Sequence, residues 1–342
     1  MPEQCDHHGT GGPVGAGSLA CHSPSRCHQP TVQVLSVLHY LASSSFQVTV
    51  GLAAGMSRPM FSNVLRDVLC ALLKHLFSYI RFPQHAELPT VKAAFDGVAH
   101  VPDVIGAVDG THITLVPLRR SEQVYRNRKN LNSVNVQLVC FADQYISEVM
   151  ARYPDSVHDS FILRNSSILH MMAPFQRDRA WLMVCTPAYM CLSALCTLVS
   201  LPYHPSGLDM TLTSVHRGDS GYPNLPWLLT PVRHPTSAAE DRYKEAHCHT
   251  RQVIERCFGV LKARFWCLHV SGGALLYKPQ VCQIIAACCM LHNLALRRQI
   301  LLLEAEDRVA VSVADEGDMG SDKEENDDAA DSRAELIRHY LS

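Results

Sequence analysis

No two of the fourteen cysteines stand in the CxxC spacing that marks a metal or redox motif. Cys70, Cys140, Cys282, Cys288 and Cys289 lie inside apolar runs instead, where free thiols serve as small buried hydrophobes. The opening residues, Met-Pro-Glu-Gln-Cys-Asp-His-His, are polar and glycine follows them, without the apolar stretch of a signal peptide. A reducing compartment, nucleus and cytoplasm, is therefore expected. The run Trp181–Tyr203 carries no formal charge and is by length alone able to cross a bilayer. It contains Pro187 and would put Asp109 on the opposite membrane face from Asp219 and Glu255, so no membrane partner is expected. A strong DNA-reading motif is missing too.

At 342 residues with 47% hydrophobic content, the chain is long enough for one large domain with appendages or for two domains. The net charge of −2 conceals an uneven distribution. Of 32 acids and 30 bases, 13 and 4 fall in residues 304–342, which leaves 19 and 26 in residues 1–303. A moderately basic body with an acidic tail suits a nucleic-acid partner, although solubility alone explains it equally well. Residues 1–30 are rich in Gly, Pro, Ser, His and Cys without apolar period, the signature of a disordered segment. Cys5, His7, His8, Cys21, His22, Cys27 and His28 match no tetrahedral zinc spacing. Residues 303–342 read as an acidic, solvated tail whose end, Ala334–Leu341, is amphipathic and suited to docking on a partner.

Residues 31–85 have a helical pattern. Val32, Val34, Leu35, Val37, Leu38 and Leu41 form one expected apolar face. A second helix begins near Phe46, and Gly55-Met56-Ser57-Arg58-Pro59 reads as a tight turn with Ser57 as the next N-cap. The segment is either a helix-turn-helix-like domain or a small helical packing domain.

Three strands are expected at 104–115, 133–141 and 145–153. The first two are joined through Arg119, Arg120, Arg126, Arg128 and Lys129, which either contact phosphates or form a solvated hairpin. Asp159 opens a helix, either as its N-cap, worth roughly 1 kcal/mol, or as an extra acidic group. Residues 246–268 form an amphipathic helix with Ile254, Phe258, Leu261 and Phe265 as its buried stripe. Glu255 sits at the edge of that stripe. It either reaches a cleft or forms a surface ion pair with Arg251, one turn earlier. Val281–Leu291 is apolar nearly all round, the pattern of a helix buried on several sides.

Asp109, Asp219 and Glu255 thus stand on three separate elements. Convergent carboxylates are what a Mg²⁺ or Mn²⁺ phosphodiester site requires, because hard cations take oxygen ligands and clamp the attacking and leaving oxygens.

An ordered series of motifs runs from Val104 to Leu294. It comprises Ile105-Gly106-Ala107-Val108-Asp109-Gly110-Thr111-His112, Tyr125-Arg126-Asn127-Arg128-Lys129, Ser156-Val157-His158-Asp159-Ser160 and Gly218-Asp219-Ser220-Gly221-Tyr222-Pro223. It continues with Trp227-Leu228-Leu229-Thr230-Pro231, Arg251-Gln252-Val253-Ile254-Glu255-Arg256-Cys257-Phe258-Gly259, Leu261-Lys262-Ala263-Arg264-Phe265 and Met290-Leu291-His292-Asn293. The series resembles the PIF/Harbinger superfamily of DDE transposases, in particular its transposase-derived nucleases. The resemblance implies an α/β, RNase H-like mixed sheet flanked by helices, its first three strands antiparallel, over residues 104–298. It also implies that Asp109, Asp219 and Glu255 are catalytic and metal-binding, with Asp159 as an auxiliary ligand. The implied activity is hydrolysis of DNA without transposition, since transposition in this superfamily relies on a separate Myb-like partner.

One departure stands out. The family passes almost directly from the strand at Trp181-Leu182-Met183 to the Gly-Asp turn, whereas here Val184–Arg217 intervenes without a clean period. A retained intron or gene-model error produces such a segment. If it is genuine, it favours a catalytically inactive DNA- or protein-binding protein on a domesticated transposase fold.

Overall fold

A computed structural model describes residues 29–116, 132–154, 157–184, 222, 225–232, 235–269, 275–276, 280–300 and 333–338. The basic residues Arg119, Arg120, Arg126, Arg128 and Lys129, the cysteines and histidines of 1–28, Asp219 and nearly all of 184–217 lie outside the described residues.

The chain enters through α1 (Pro30–Ser43) and α2 (Gln47–Ala53), then α3 (Arg58–Leu73) and α4 (Leu76–Tyr79). Pro59 lies in the first turn of α3, where its missing N–H leaves no helical bond unmade. Gly55, at φ 71°, supplies the left-handed residue that turns the chain from α2 toward α3. Ser57 occupies the cap position in extended backbone, but its side chain makes no capping bond. The buried stripe of α1 also differs from the expected one. Ser36, Val37, Tyr40 and Leu41 are buried, while Leu35 remains 59% exposed. Tyr40 meets Phe61 edge-on at 5.8 Å, so an aromatic contact rather than the aliphatic run sets the helix rotation.

After α5 (Leu88–Ala99) come β1 (Val104–Val116), β2 (Ser133–Cys140) and β3 (Ile146–Pro154), antiparallel in sequence order. Short helices α6 (Asp159–Arg164) and α7 (Ile168–Met172) lead to β4 (Trp181–Val184). β4 lies parallel to β1, and β5 (Leu228–Leu229) lies parallel to β4. The order is β3-β2-β1-β4-β5, a mixed sheet; β6 (Leu275–Leu276) pairs with the far end of β1. Every residue of β2 is buried, so both faces of the sheet are covered.

Two long helices complete the body, α8 (Ala238–Arg264) and α9 (Gln280–Arg297). α8 begins eight residues before the expected start, because Ser237 accepts from Glu240 N and the Glu240 carboxylate returns to Thr236 N. α9 is buried through Ile284–Met290. α1–α4 share one continuous core with the sheet. Asn293 on α9 ties them together, donating to the carbonyls of Tyr79 and Ile146 at 2.8 and 2.7 Å and accepting from Ile146 N at 2.9 Å. Residues 333–338, inside the stretch expected to be solvated, are helical and packed on the body. Leu336 is fully buried, and Glu335 pairs with Arg179 at 2.6 Å. Among the described residues no helix is long and apolar enough to cross a membrane.

Candidate active site

β1 carries Asp109 in its middle, paired with Leu138 of β2. The Asp109 carboxylate accepts the Gly110 N–H at 2.8 Å. Asp109 keeps some accessible surface, as a cleft-lining residue does, yet protein surrounds it at depth. Burial pushes its pKa well above the usual carboxylate range, and the charge of Asp159 adds to this. Glu255 pushes in the same direction, while the Gly110 bond and Arg251 oppose it.

Asp159 is the first residue of α6, with His158 at the cap position and no side-chain capping bond. The capping role is thereby overturned: the Asp159 carboxylate faces the sheet and accepts from Asn135 Nδ2 at 2.8 Å. The same amide reaches the Val157 carbonyl at 3.2 Å. Gly110 makes this approach possible, because a Cβ there would lie 2.8 Å from Asp159 Oδ1.

Glu255 comes from α8. Its Oε1 is 2.8 Å from Arg251 Nε, and both side chains are under one-fifth exposed. The pair is therefore sheltered rather than on the surface. It is misaligned for a hydrogen bond, so Glu255 Oε1 is buried without a donor. Two further oxygens are in the same condition, Asn135 Oδ1 and Thr111 Oγ1. On the next turn back, His247 is buried with its Nε2 unmatched. Burial, with the nearby Arg251, lowers its pKa to about 4.

The structure thus places Asp159, Glu255 and Arg251 within electrostatic reach of Asp109, while among the described residues no three ligating side chains lie close enough to hold an ion. Tyr222, three residues beyond Asp219, is buried and accepts from Gln137 Nε2 of β2 at 3.1 Å. Asn135 and Gln137 were not anticipated as supports. Their signal was present: two amides at alternate positions of an otherwise apolar strand, Ser133-Val134-Asn135-Val136-Gln137.

A family profile described as DDE superfamily endonuclease matches residues 108–293, more than half of the chain, from just before Asp109 to Asn293. The chain belongs to the DDE superfamily endonucleases. The resemblance to Harbinger transposase-derived nucleases holds over most of the chain. The chain is 33% identical over 285 residues to "Putative nuclease HARBI1" of Mus musculus, covering 83% of this chain and 72% of that protein. The Homo sapiens protein of the same name gives the same identity and coverage. "Protein ALP1-like" of Arabidopsis thaliana is 24% identical over 267 residues, 77% of this chain and 59% of that protein. No solved structure gives a significant match. Within this DDE endonuclease, the profile contains every described residue of the acidic cluster.

Proposed function

We propose that the chain is a transposase-derived, divalent-metal-dependent nuclease that hydrolyses DNA phosphodiester bonds without transposing. One observation carries this reading. Asp109 lies deep in the fold within electrostatic reach of Asp159 and Glu255, so that burial first and the Asp159 charge second make it resist ionisation, and Glu255 Oε1, Asn135 Oδ1 and Thr111 Oγ1 are buried without a hydrogen-bond partner. Such hard oxygens suit Mg²⁺ or Mn²⁺ and do not suit a soft metal. Asp109, Asp219 and Glu255 would hold the ion, with Asp159 as an auxiliary. Bound there, the ion supplies polarisation of a phosphoryl oxygen and acidification of a water.

The chain's own groups do the positioning. Asn135 fixes the Asp159 carboxylate through a 2.8 Å bond. Arg251 holds Glu255 beside Asp109 and offsets part of the acidic charge. The basic residues Arg119, Arg120, Arg126, Arg128 and Lys129 would engage backbone phosphates. Strand order β3-β2-β1-β4-β5 supports an RNase H-like reading of the sheet. α2 and α3 about Gly55 support a helix-turn-helix-like reading of residues 31–85. The same proposal includes residence in nucleus and cytoplasm and a Myb-like DNA-binding partner.

A second reading, a catalytically inactive DNA- or protein-binding protein, has its own observation. Among the described residues no three metal-ligating side chains are close enough to hold an ion, and Glu255 is already paired with Arg251. Nicking of supercoiled plasmid with Mn²⁺ or Mg²⁺ separates the two. The nuclease reading expects cleavage by the intact chain or by a version lacking Val184–Arg217, abolished by Asp109→Asn, Asp219→Asn or Glu255→Gln. Binding without cleavage in both versions would establish the inactive protein.

A further inference from the structure

We propose that Trp266 and His269 form a stacking platform for an unpaired base of the DNA strand. This inference rests on the nuclease reading above and specifies its substrate as DNA with a single-stranded flank.

α8 stops at Arg264, and a tight turn, Trp266–Leu268, follows. Phe265, Cys267 and Leu268 are all buried and anchor this turn, and His269 N donates to the Trp266 carbonyl at 3.0 Å. The backbone is thus fixed while the two remaining rings stay partly exposed. They lie parallel, with centroids 4.2 Å apart and planes 8° from each other. Aromatic pairs also adopt edge-to-face geometry; a parallel pair presents a flat face, which is what a base requires. Trp181 and Trp227 are only 6% and 5% exposed, so Trp266 is the one tryptophan outside the core.

Lys262, itself buried, ties this turn to the sheet. Burial lowers the pKa of His269, and Lys262, one turn before Trp266 on α8, lowers it further. His269 therefore stacks as a neutral aromatic ring. Lys262 Nζ donates to the His112 carbonyl at 3.1 Å, three residues along β1 from Asp109. The platform sits roughly 15 Å along α8 from Glu255, from the helical rise of 1.5 Å per residue. That is about four nucleotides at the 3.4 Å spacing of a stacked strand. Base–aromatic stacking tolerates any sequence because every base has a flat face.

The test uses the full chain in EDTA, with a fluorescein-labelled single-stranded oligonucleotide and the corresponding duplex. The single strand is expected to quench tryptophan emission and the duplex to leave it nearly unchanged. Trp266→Leu should weaken single-strand binding at least about fivefold, the lower limit of a stacking contact. Trp266→Phe should retain that affinity, and duplex binding should be the same in all three proteins. Equal single-strand affinity in wild type and Trp266→Leu, or equal quenching by the duplex, would overturn the platform and leave the nuclease reading intact. If the wild-type chain binds neither DNA, the platform is overturned, and the nicking assay with Mn²⁺ or Mg²⁺ decides the nuclease reading separately.

Discussion

Substituting Gly110 by alanine tests the packing of the acidic cluster directly. The new Cβ would lie 2.8 Å from Asp159 Oδ1 and 3.2 Å from its Cγ. Asp159 cannot easily swing aside, because Asn135 holds the same oxygen at 2.8 Å. Restoring an ordinary contact requires a shift of roughly half an ångström or more. Overpacking of this kind costs about 1–3 kcal/mol, including the weakened bond to Asn135. Restricting the unfolded chain returns up to about 1 kcal/mol, since no strained backbone is involved. The net change is thus modest, and a double-mutant cycle with Asp159→Ala is the sharper measure. Removing the carboxylate abolishes the clash, so the double variant should be more stable than the sum of the single effects by about 1 kcal/mol. Urea unfolding followed by circular dichroism reads this. Additivity within about 0.5 kcal/mol would show that Asp159 does not sit over Gly110.

Four other outcomes follow from buried polar groups. Asp109 has a raised pKa, so the folded state holds its proton more tightly and metal-free stability falls as pH rises through the carboxylate range and above. Asp109→Asn should raise the melting temperature in EDTA at pH 7 and flatten that dependence. His247 is held down to about 4, so its contribution is present above pH 6.5 and lost as pH falls toward 4. His247→Gln should remove an acid-side loss on the order of 3 kcal/mol, read as the urea midpoint against pH. Glu148, pushed up to about 7 by burial despite its bond from Ser167, costs stability as pH rises from 4.5 to 7. Glu148→Gln should be more stable than wild type at pH 8, by up to about 3 kcal/mol, and comparable at pH 4. Asn293→Ala should lose about 2–4 kcal/mol in thermal unfolding, because it strands the buried Ile146 N–H and two carbonyls.

The three antiparallel strands were legible because each combines β-branched residues with turn signals on either side, and their limits differ from the expected ones by a residue or so. The core of α8 was legible from Ile254, Phe258 and Leu261. Its first eight residues were not, because Tyr243 is the one buried side chain among them, too little for a periodic stripe, and they form through the Thr236-Ser237-Ala238-Ala239-Glu240 cap. That capping box is a local signal present in the sequence. The rotation of α1 was illegible for a different reason. Val32, Val34 and Leu35 are as apolar as Val37 and Leu41, and only the tertiary contact between Tyr40 and Phe61 selects the buried side. In the acidic cluster, Asp109 and Glu255 were readable from their positions in a strand and an amphipathic helix. The depth of the Arg251–Glu255 pair was not, since i,i+4 spacing is the same at the surface and in a cleft. Asp159 was readable as a helix start, though as the cap rather than as the first helical residue it is. Its partner Asn135 required knowledge of which strands meet.

Asn293 and Tyr79 are 214 residues apart in sequence, and this separation matters on the ribosome. At 5–20 residues per second, α4 emerges roughly 10–40 s before the helix that completes its packing. During that interval Leu65, Val68 and Leu69, fully sheltered in the finished protein, have no α9 to pack against. Loop closure over such a span adds little to equilibrium stability but delays folding. The N-terminal helices thus keep this apolar surface uncovered until α9 emerges, and any fragment ending before α9 leaves it uncovered permanently.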